Sequence, residues 1–477
     1  MRRQAAFLAA AGGRGPFDLA DGTMVVVPSL TLPTDELKDV LGIQYYEERL
    51  LFLLLTLREP GVRLVFLSST DIDPEILDYY LRFLPDPADA RRRLVLSPLH
   101  DARQIPLTTK TLQHPEVIDG IRELVAHDPR VYLLPFNVTP QEEELGARLG
   151  VPIYGTASAT AYLGGKSGGR IAARAAGVPV VEGVENVHTA DDVQKAFAAL
   201  GAQTPDRAVL KLNDSFSGMG NAIVRARPGG DDVKIASGLW AALPDGVRSW
   251  EDYARRLRER GGVVERMVPG PIDSPSVQLL IKPGREPEVV STHDQILGGL
   301  ESQVYVGCEF PARPAYRDAI VEHARRIAAV LAERGVVGHF GIDFLVSHTE
   351  RQIYFGEINL RLGGTTHPFG LARLLTGAAY DQRRGVLVDA QGADFYYVAS
   401  DNVQGDRLVG RPPAAVLKVL SAAGLLYDRA RRSGVTLHQM GSLAQSGKLG
   451  LCSIAESPKE ARIGFQNAVG ELLRDDS

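Results

Sequence analysis

From Met24 onward, short apolar runs alternate with longer stretches in which apolar residues recur at helical spacing. The runs MVVVPSL, RLVFLSS, RLVLSPL, VYLLPFN and VPIYG read as strands. DELKDVLGIQYYEERLLFLLLTL and PEVIDGIRELVAHD, which lie between them, read as helices. Alternation of this kind predicts a parallel, doubly wound sheet over residues 1–155.

After Tyr154 the pattern changes. SGGRIAARAAG predicts a helix closed by Gly177, and DDVQKAFAAL a second helix. AVLKLND and AIVRA predict strands around the loop SFSGMGN, and VVERMV, VQLLI and EVVST predict further strands. The helix PAYRDAIVEHARRIAAVLAERG then leads to GHFGIDFLV and IYFGEINLRL. Strands joined by short turns imply a mixed or antiparallel α+β domain over residues 156–384. Residues 385–477 form a smaller α/β segment, with KVLSAAGLLYDRARRSG helical and LGLCSIA a strand.

The length of 477 residues exceeds one ordinary core and implies two or three domains. With 44% hydrophobic and 23% charged residues the composition is that of a globular protein. A net charge of −5 gives no global attraction to nucleic acid. Ten lysines stand against 43 arginines, so a lysine inside a motif is informative. Cys308 and Cys452 are far apart in apolar contexts and read as core thiols. LLFLLLTL is too short to span a bilayer, and the apolar run in MRRQAAFLAAAGG is short for a secretory signal. The expected location is cytoplasmic, with no membrane partner and with room for a homodimer.

Three motifs carry chemistry. GIDFLV and IYFGEINLRL read as a hairpin turning near Glu350, which sets Asp343 opposite Glu357 with Asn359 one step along. Alternation sends Glu357, Asn359 and Arg361 to one face and Ile358 and Leu360 to the other. Two carboxylates and an amide oxygen form a hard, incomplete ligand set of the kind that suits Mg²⁺. The alternative is a solvated polar face, but two facing acids repel without a cation. Arg361 is not a metal ligand and is suited to clamping a carboxylate or phosphoryl group.

In VLKLNDSFSGMGN a strand delivers Lys211 to a glycine loop, whose amides suit phosphate oxygens. A strand follows the loop and Ile223 replaces a third glycine, so it is not a dinucleotide fingerprint. GGKS at Gly164–Ser167 mimics the end of a P-loop, but Thr160 occupies the first glycine position. VVERMVPG reads either as a plain core strand and turn or as a hinge whose backbone and Glu265 meet an adenine edge.

In order and spacing, Lys166, Lys211, SGMGN, the Glu265 strand, Asp343 and Glu357-x-Asn359-x-Arg361 resemble the ATP-grasp carboxylate-amine ligases over residues 156–384. GHFGIDFLV, EINLRLGGTTHP and the C-terminal segment look most like the pheganomycin-type peptide ligases. The resemblance implies a pre-ATP-grasp domain, an ATP-grasp domain with a lid over about residues 185–270, and a C-terminal extension. It implies that Lys166 and Lys211 hold ATP phosphates, while Ser217, Gly218, Met219, Gly220 and Asn221 form a lid loop. Glu265 and the backbone of Val268 would meet adenine, and Asp273 the ribose. Asp343, where many relatives carry Glu, would bind Mg²⁺ with Glu357 and Asn359, and Arg361 would steady the transferring phosphoryl group.

The activity so implied is formation of an amide through an acyl phosphate, joining an amino-acid-like acid to an amine or a peptide N-terminus. The chain shows no convincing Ser-His-Asp or Cys-His arrangement, which fits a reaction needing no protein nucleophile. Gly364, Thr365, Thr366 and His367 follow the metal strand and are expected as a loop at the acid substrate, with His293, Asp294 and His339 as further candidates. Rival readings are an ATP-dependent kinase or carboxylase and a nucleotide-regulated binding protein.

Overall fold

The computed structural model describes residues 17, 20–32, 37, 42–201, 206–214, 220–244, 246–247, 249–284, 286–298 and 304–474. The N-terminal apolar run and Ser217, Gly218 and Met219 of the expected lid loop lie outside these residues.

Among the described residues the strands form three sheets. The first is wholly parallel, in the order Leu94–Pro98, Gly61–Ser68, Asp21–Val27, Val131–Pro135. Its strands are apolar on both faces because both are covered. Val25, Val27, Val65, Leu67 and Leu133 belong to the core that meets Ile118, Ile121 and Leu145 of flanking helices. Their neighbours Met24, Val26, Leu64, Phe66 and Leu134 belong to the core shared with the helical segment Ile43–Arg58. VPIYG, expected as a fifth strand, contributes only a single bridge from Ile153 to Leu133.

The second sheet is antiparallel, in the order Gly183–Val187, Gly262–Arg266, Arg207–Leu212, Asn221–Arg225, Leu239–Ala242, Val233–Ala236. It has its own core around Leu210, Val224, Tyr253 and Leu257.

The third sheet is antiparallel and central. Pro275–Ile281 lies between Gly338–Ser347 and Glu288–Gly298, and Gln352–Asn359 extends Gly338–Ser347 as a hairpin. The C-terminal residues do not build a separate sheet. Asp394–Gln404 pairs with Val304–Phe310, and Lys448–Ala455 pairs in turn with Asp394–Gln404.

KVLSAAGLLYDRARRSG is helical only at its start. The helix Pro413–Ala422 stops before Gly424, which takes a left-handed φ of 68° while Leu425 N–H donates back to Leu420 O. That glycine-terminated end closes the helix before the remaining apolar residues can join it. Cys308 and Cys452 are buried free thiols. No helix among the described residues is long and apolar enough to cross a membrane.

Candidate active site

The hairpin of the central sheet builds the acidic centre. Asp343 stands opposite Glu357 and Gly341 opposite Asn359, after a register shift between Asp343 and Phe344. The extra residue is Gly356, where an added Cβ would lie 2.9 Å from the Asp343 carbonyl oxygen. The bulge therefore needs glycine, and it brings the two carboxylates face to face. The Asn359 amide donates to Asp343 Oδ2 and to Glu357 Oε1, both at 3.1 Å, while Arg361 Nη2 donates to Asn359 Oδ1 at 3.0 Å. Burial pushes the Asp343 carboxyl up, opposed by hydrogen bonds from Gln295 and Ser276. Burial lowers the Arg361 guanidinium to about 10, with Asp343 opposing the shift.

Two lysines approach from other elements. Lys166 opens the helix Lys166–Ala175, and its ammonium pairs with Glu357. Burial lowers that ammonium to about 8, and the nearby Lys211 adds to the effect. Lys211 lies on Arg207–Leu212 and meets Glu265 Oε2 at 2.6 Å. Glu265 is also paired with Arg170, which reaches Glu185 Oε1 at 2.6 Å and donates to Val181 O at 2.6 Å. Burial pushes the Glu265 carboxyl up, but Lys211 and Arg170 outweigh it and hold the group below the usual carboxylate range. Its carboxylate is thus enclosed between two cations. Glu265 lines the cleft beside Met267 and Val268, and its pairing with Lys211 and Arg170 fixes where the Lys211 ammonium sits.

A cleft of about 1240 Å³ joins these groups. Lys166, Lys211, Asn221, Glu265, Val268, Asp273, Asp294, Asp343, Glu357, Asn359, Arg361, Gly364 and Thr365 all line it, so most of the expected constellation converges. Gly220, the other described residue of the lid loop, accepts a hydrogen bond from the buried Tyr253 hydroxyl at 2.8 Å. Asp273 is held by Arg313 Nη1 at 3.0 Å and by His348 Nε2 at 2.8 Å. Asp294 accepts hydrogen bonds from Tyr316 Oη at 2.6 Å and from Arg313 N at 3.1 Å.

The histidines do not join the cleft wall. His293 is fully buried with Nε2 at 2.6 Å from Tyr397 Oη, and burial lowers it to about 3. His339 is buried and lowered to about 4, with its ring beside Phe17. His367 Nε2 lies 2.9 Å from His438 Nε2 in a second buried pair. Gly-Gly-Thr-Thr-His is also only half a loop, because Thr366 and His367 open the helix Thr366–Thr376. Thr366 Oγ1 accepts from Gly363 N at 2.9 Å, and Pro368 sits in the first turn, where no backbone N–H is required.

The same cleft has a wall that motif reading missed, made of Tyr46, Arg49, Tyr305, Asp401 and Lys448. Its one visible signal is EER at residues 47–49, three charges within a segment that is otherwise apolar. All three are buried.

A family model described as IQCH-like ATP-grasp matches residues 245–383, and one described as PGM1 C-terminal domain matches residues 415–463. The L-propargylglycine–L-glutamate ligase of Streptantibioticus cattleyicolor is 34% identical over 465 residues, covering 94% of each chain. The chain belongs to the ATP-grasp ligases. The chain is also 21% identical to IQ motif-containing protein H of Danio rerio, across 94% of its own length and 48% of that protein. Biotin carboxylase of Campylobacter jejuni shares the ligase's fold with a TM-score of 0.58 at 15% identity, covering 95% of this chain and 91% of that one. N5-carboxyaminoimidazole synthetase of Staphylococcus aureus, in complex with ADP, gives a TM-score of 0.53 at 11% identity, covering 95% and 100%. The ligase is therefore an ATP-using enzyme on the ATP-grasp fold.

Proposed function

We propose that the enzyme joins an amino-acid-like carboxylic acid to the amine of a second amino acid or of a peptide N-terminus, with an acyl phosphate as intermediate. The carrying observation is the convergence of Asp343, Glu357, Asn359, Arg361, Lys166 and Lys211 on one cleft. The similar ligase from S. cattleyicolor is named for two amino acids, which supports substrates of this class. In this reading residues 1–155 form the pre-ATP-grasp domain and residues 156–384 the ATP-grasp domain. Residues 185–270 act as its lid, and residues 385–477 complete the cleft from the C-terminal side.

Adenine lies against the backbone at Met267 and Val268, beyond the strand Gly262–Arg266, and the ribose near Asp273. Lys211, held by Glu265, and Lys166 take the phosphates, with Ser217–Asn221 closing over them. Lys166 leaves Glu357 for a phosphate oxygen when nucleotide enters.

The donor set fits Mg²⁺. Two carboxylates face each other across the hairpin, and positive groups, the Asn359 amide hydrogens and the Lys166 ammonium, satisfy them. Asp343, Glu357 and Asn359 would hold the cation, which supplies charge neutralisation beside the triphosphate.

A carboxylate oxygen of the acid attacks the γ-phosphorus, the bond from the γ-phosphorus to its bridging oxygen breaks, and ADP leaves. The amine nitrogen then attacks the acyl carbon, inorganic phosphate leaves with the C–O bond, and the amine proton passes to solvent. Arg361 balances charge on the transferring phosphoryl group, and the amides of Gly364 and Thr365 orient the acyl group. With the acid labelled by ¹⁸O in its carboxylate, one labelled oxygen should appear in released phosphate for each amide formed. Unlabelled phosphate in a reaction that yields amide would sink the acyl-phosphate mechanism.

A further inference from the structure

The wall formed by Tyr46, Arg49, Asp401 and Lys448 lines the same cleft as Arg361, Gly363, Gly364 and Thr365. Arg49 Nη2 meets Asp401 Oδ2 at 2.5 Å, with both side chains 7% exposed. The Arg49 guanidinium stacks 4.6 Å from the Tyr46 ring centroid, and Lys448 Nζ lies 5.3 Å from the same centroid and 3.2 Å from Tyr46 Oη. Arg49 is also near enough to Arg361 for the two guanidiniums to repel.

Two features of this wall want an anion. Arg49 Nε is buried with no hydrogen-bond partner among the described residues, in a group built to donate five. Asp401 balances one of the two cations, and Lys448 has a phenol but no carboxylate partner among the described residues. One positive charge is therefore left over in a half-buried wall, where a single carboxylate fits the charge and the remaining donors of the Lys448 ammonium.

This deepens the function proposed above and rests on it. We propose that Arg49 and Lys448 form a subsite for a second carboxylate of the acid substrate, so that the enzyme activates one carboxyl group of a dicarboxylic acid while holding the other. The reacting carboxyl then lies toward Arg361 and Gly363–Thr365, and the spectator carboxylate anchors its distance and direction. Attack, loss of ADP and amide formation follow the balance given above, and the spectator carboxylate takes no part in bond making.

The test measures thermal melting of the full chain with a non-hydrolysable ATP analogue. L-Glutamate and L-aspartate are compared with L-glutamine and L-asparagine, and glutarate with butyrate. The dicarboxylates should raise Tm and the amides and butyrate should not. Lys448→Met should abolish the dicarboxylate shift, and Arg49→Lys, which keeps charge but loses the fork, should reduce it. The analogue alone should still stabilise each variant, which confirms folding. In turnover, Lys448→Met should raise the KM for the acid roughly tenfold or more, with kcat changed less.

Equal shifts for acids and amides, or no shift with any of them, overturns the subsite, as does a dicarboxylate shift that survives in Lys448→Met. A rise in the KM for the amine alone also overturns it, by assigning the wall to the acceptor. If dicarboxylates stabilise the protein through Arg49 and Lys448 but no amine supports ADP release, the ligase reading fails and the subsite stands.

Discussion

The two ends of the cleft are built in opposite ways. At the end proposed for the phosphates, Asp343, Glu357, Asn359 and Arg361 come from one hairpin and its exit, where strand alternation and the bulge at Gly356 set the two carboxylates opposite each other. At the other end, Tyr46 and Lys448 meet across 402 positions of sequence, and Arg49 and Asp401 across 352. The first arrangement is local and repeats wherever such a hairpin forms. The second exists only because the helical segment Ile43–Arg58 packs beside strands that the C-terminal residues add to the central sheet.

The largest effect that bears on this contrast is expected at Glu265, which holds Lys211 through a network that is not local. Glu265→Ala leaves Arg170, 1% exposed, without its central partner. It should cost about 3–5 kcal/mol of stability, measured by denaturant unfolding. A loss below 1 kcal/mol would show that the phosphate end stands on its hairpin alone. Next in size, Arg361→Ala should lower turnover by about 10²-fold or more in an ADP-release assay while the fold remains intact. An unchanged kcat would remove Arg361 from the chemistry.

A smaller effect probes the other end. Glu48 accepts a hydrogen bond from Gly441 N at 2.9 Å, and burial, with Glu47 and Asp73 nearby, pushes its carboxyl up to about 8 from 4.5. Burial likewise raises Glu47 to about 7, against hydrogen bonds from Ser69 and the charge of Lys110. Between pH 4.5 and about 8 the folded state binds more protons than the unfolded chain at these sites, so stability should fall as pH rises through that window. Glu48→Gln should flatten that slope and stabilise the protein at pH 8 by on the order of 1 kcal/mol or more. An unaltered slope in the variant would show that Glu48 does not carry the dependence.

The legible part of the molecule followed from short-range periodicity. The pairing of Asp343 with Glu357 was readable because a turn near Glu350 and a period of two leave little freedom, although the bulge at Gly356 that restores the register was not visible. The placement of His293, His339 and His367 was not legible, for the reverse reason. A histidine next to a motif looks available, and only packing shows that each is enclosed and held neutral. Glu265 was legible as a candidate, but its partner Arg170 lies 95 positions away and carries no signal of its own.

The sequence by itself determined the alternation of strands and helices, the carboxylate hairpin and the lysines in their motifs, because each depends on residues within a few positions of one another. Tertiary structure decided which of these groups share a cleft, which are sealed in the core, and what faces them from the far wall. Burial and charge balance at those points are set by residues hundreds of positions apart, and no local pattern contains them.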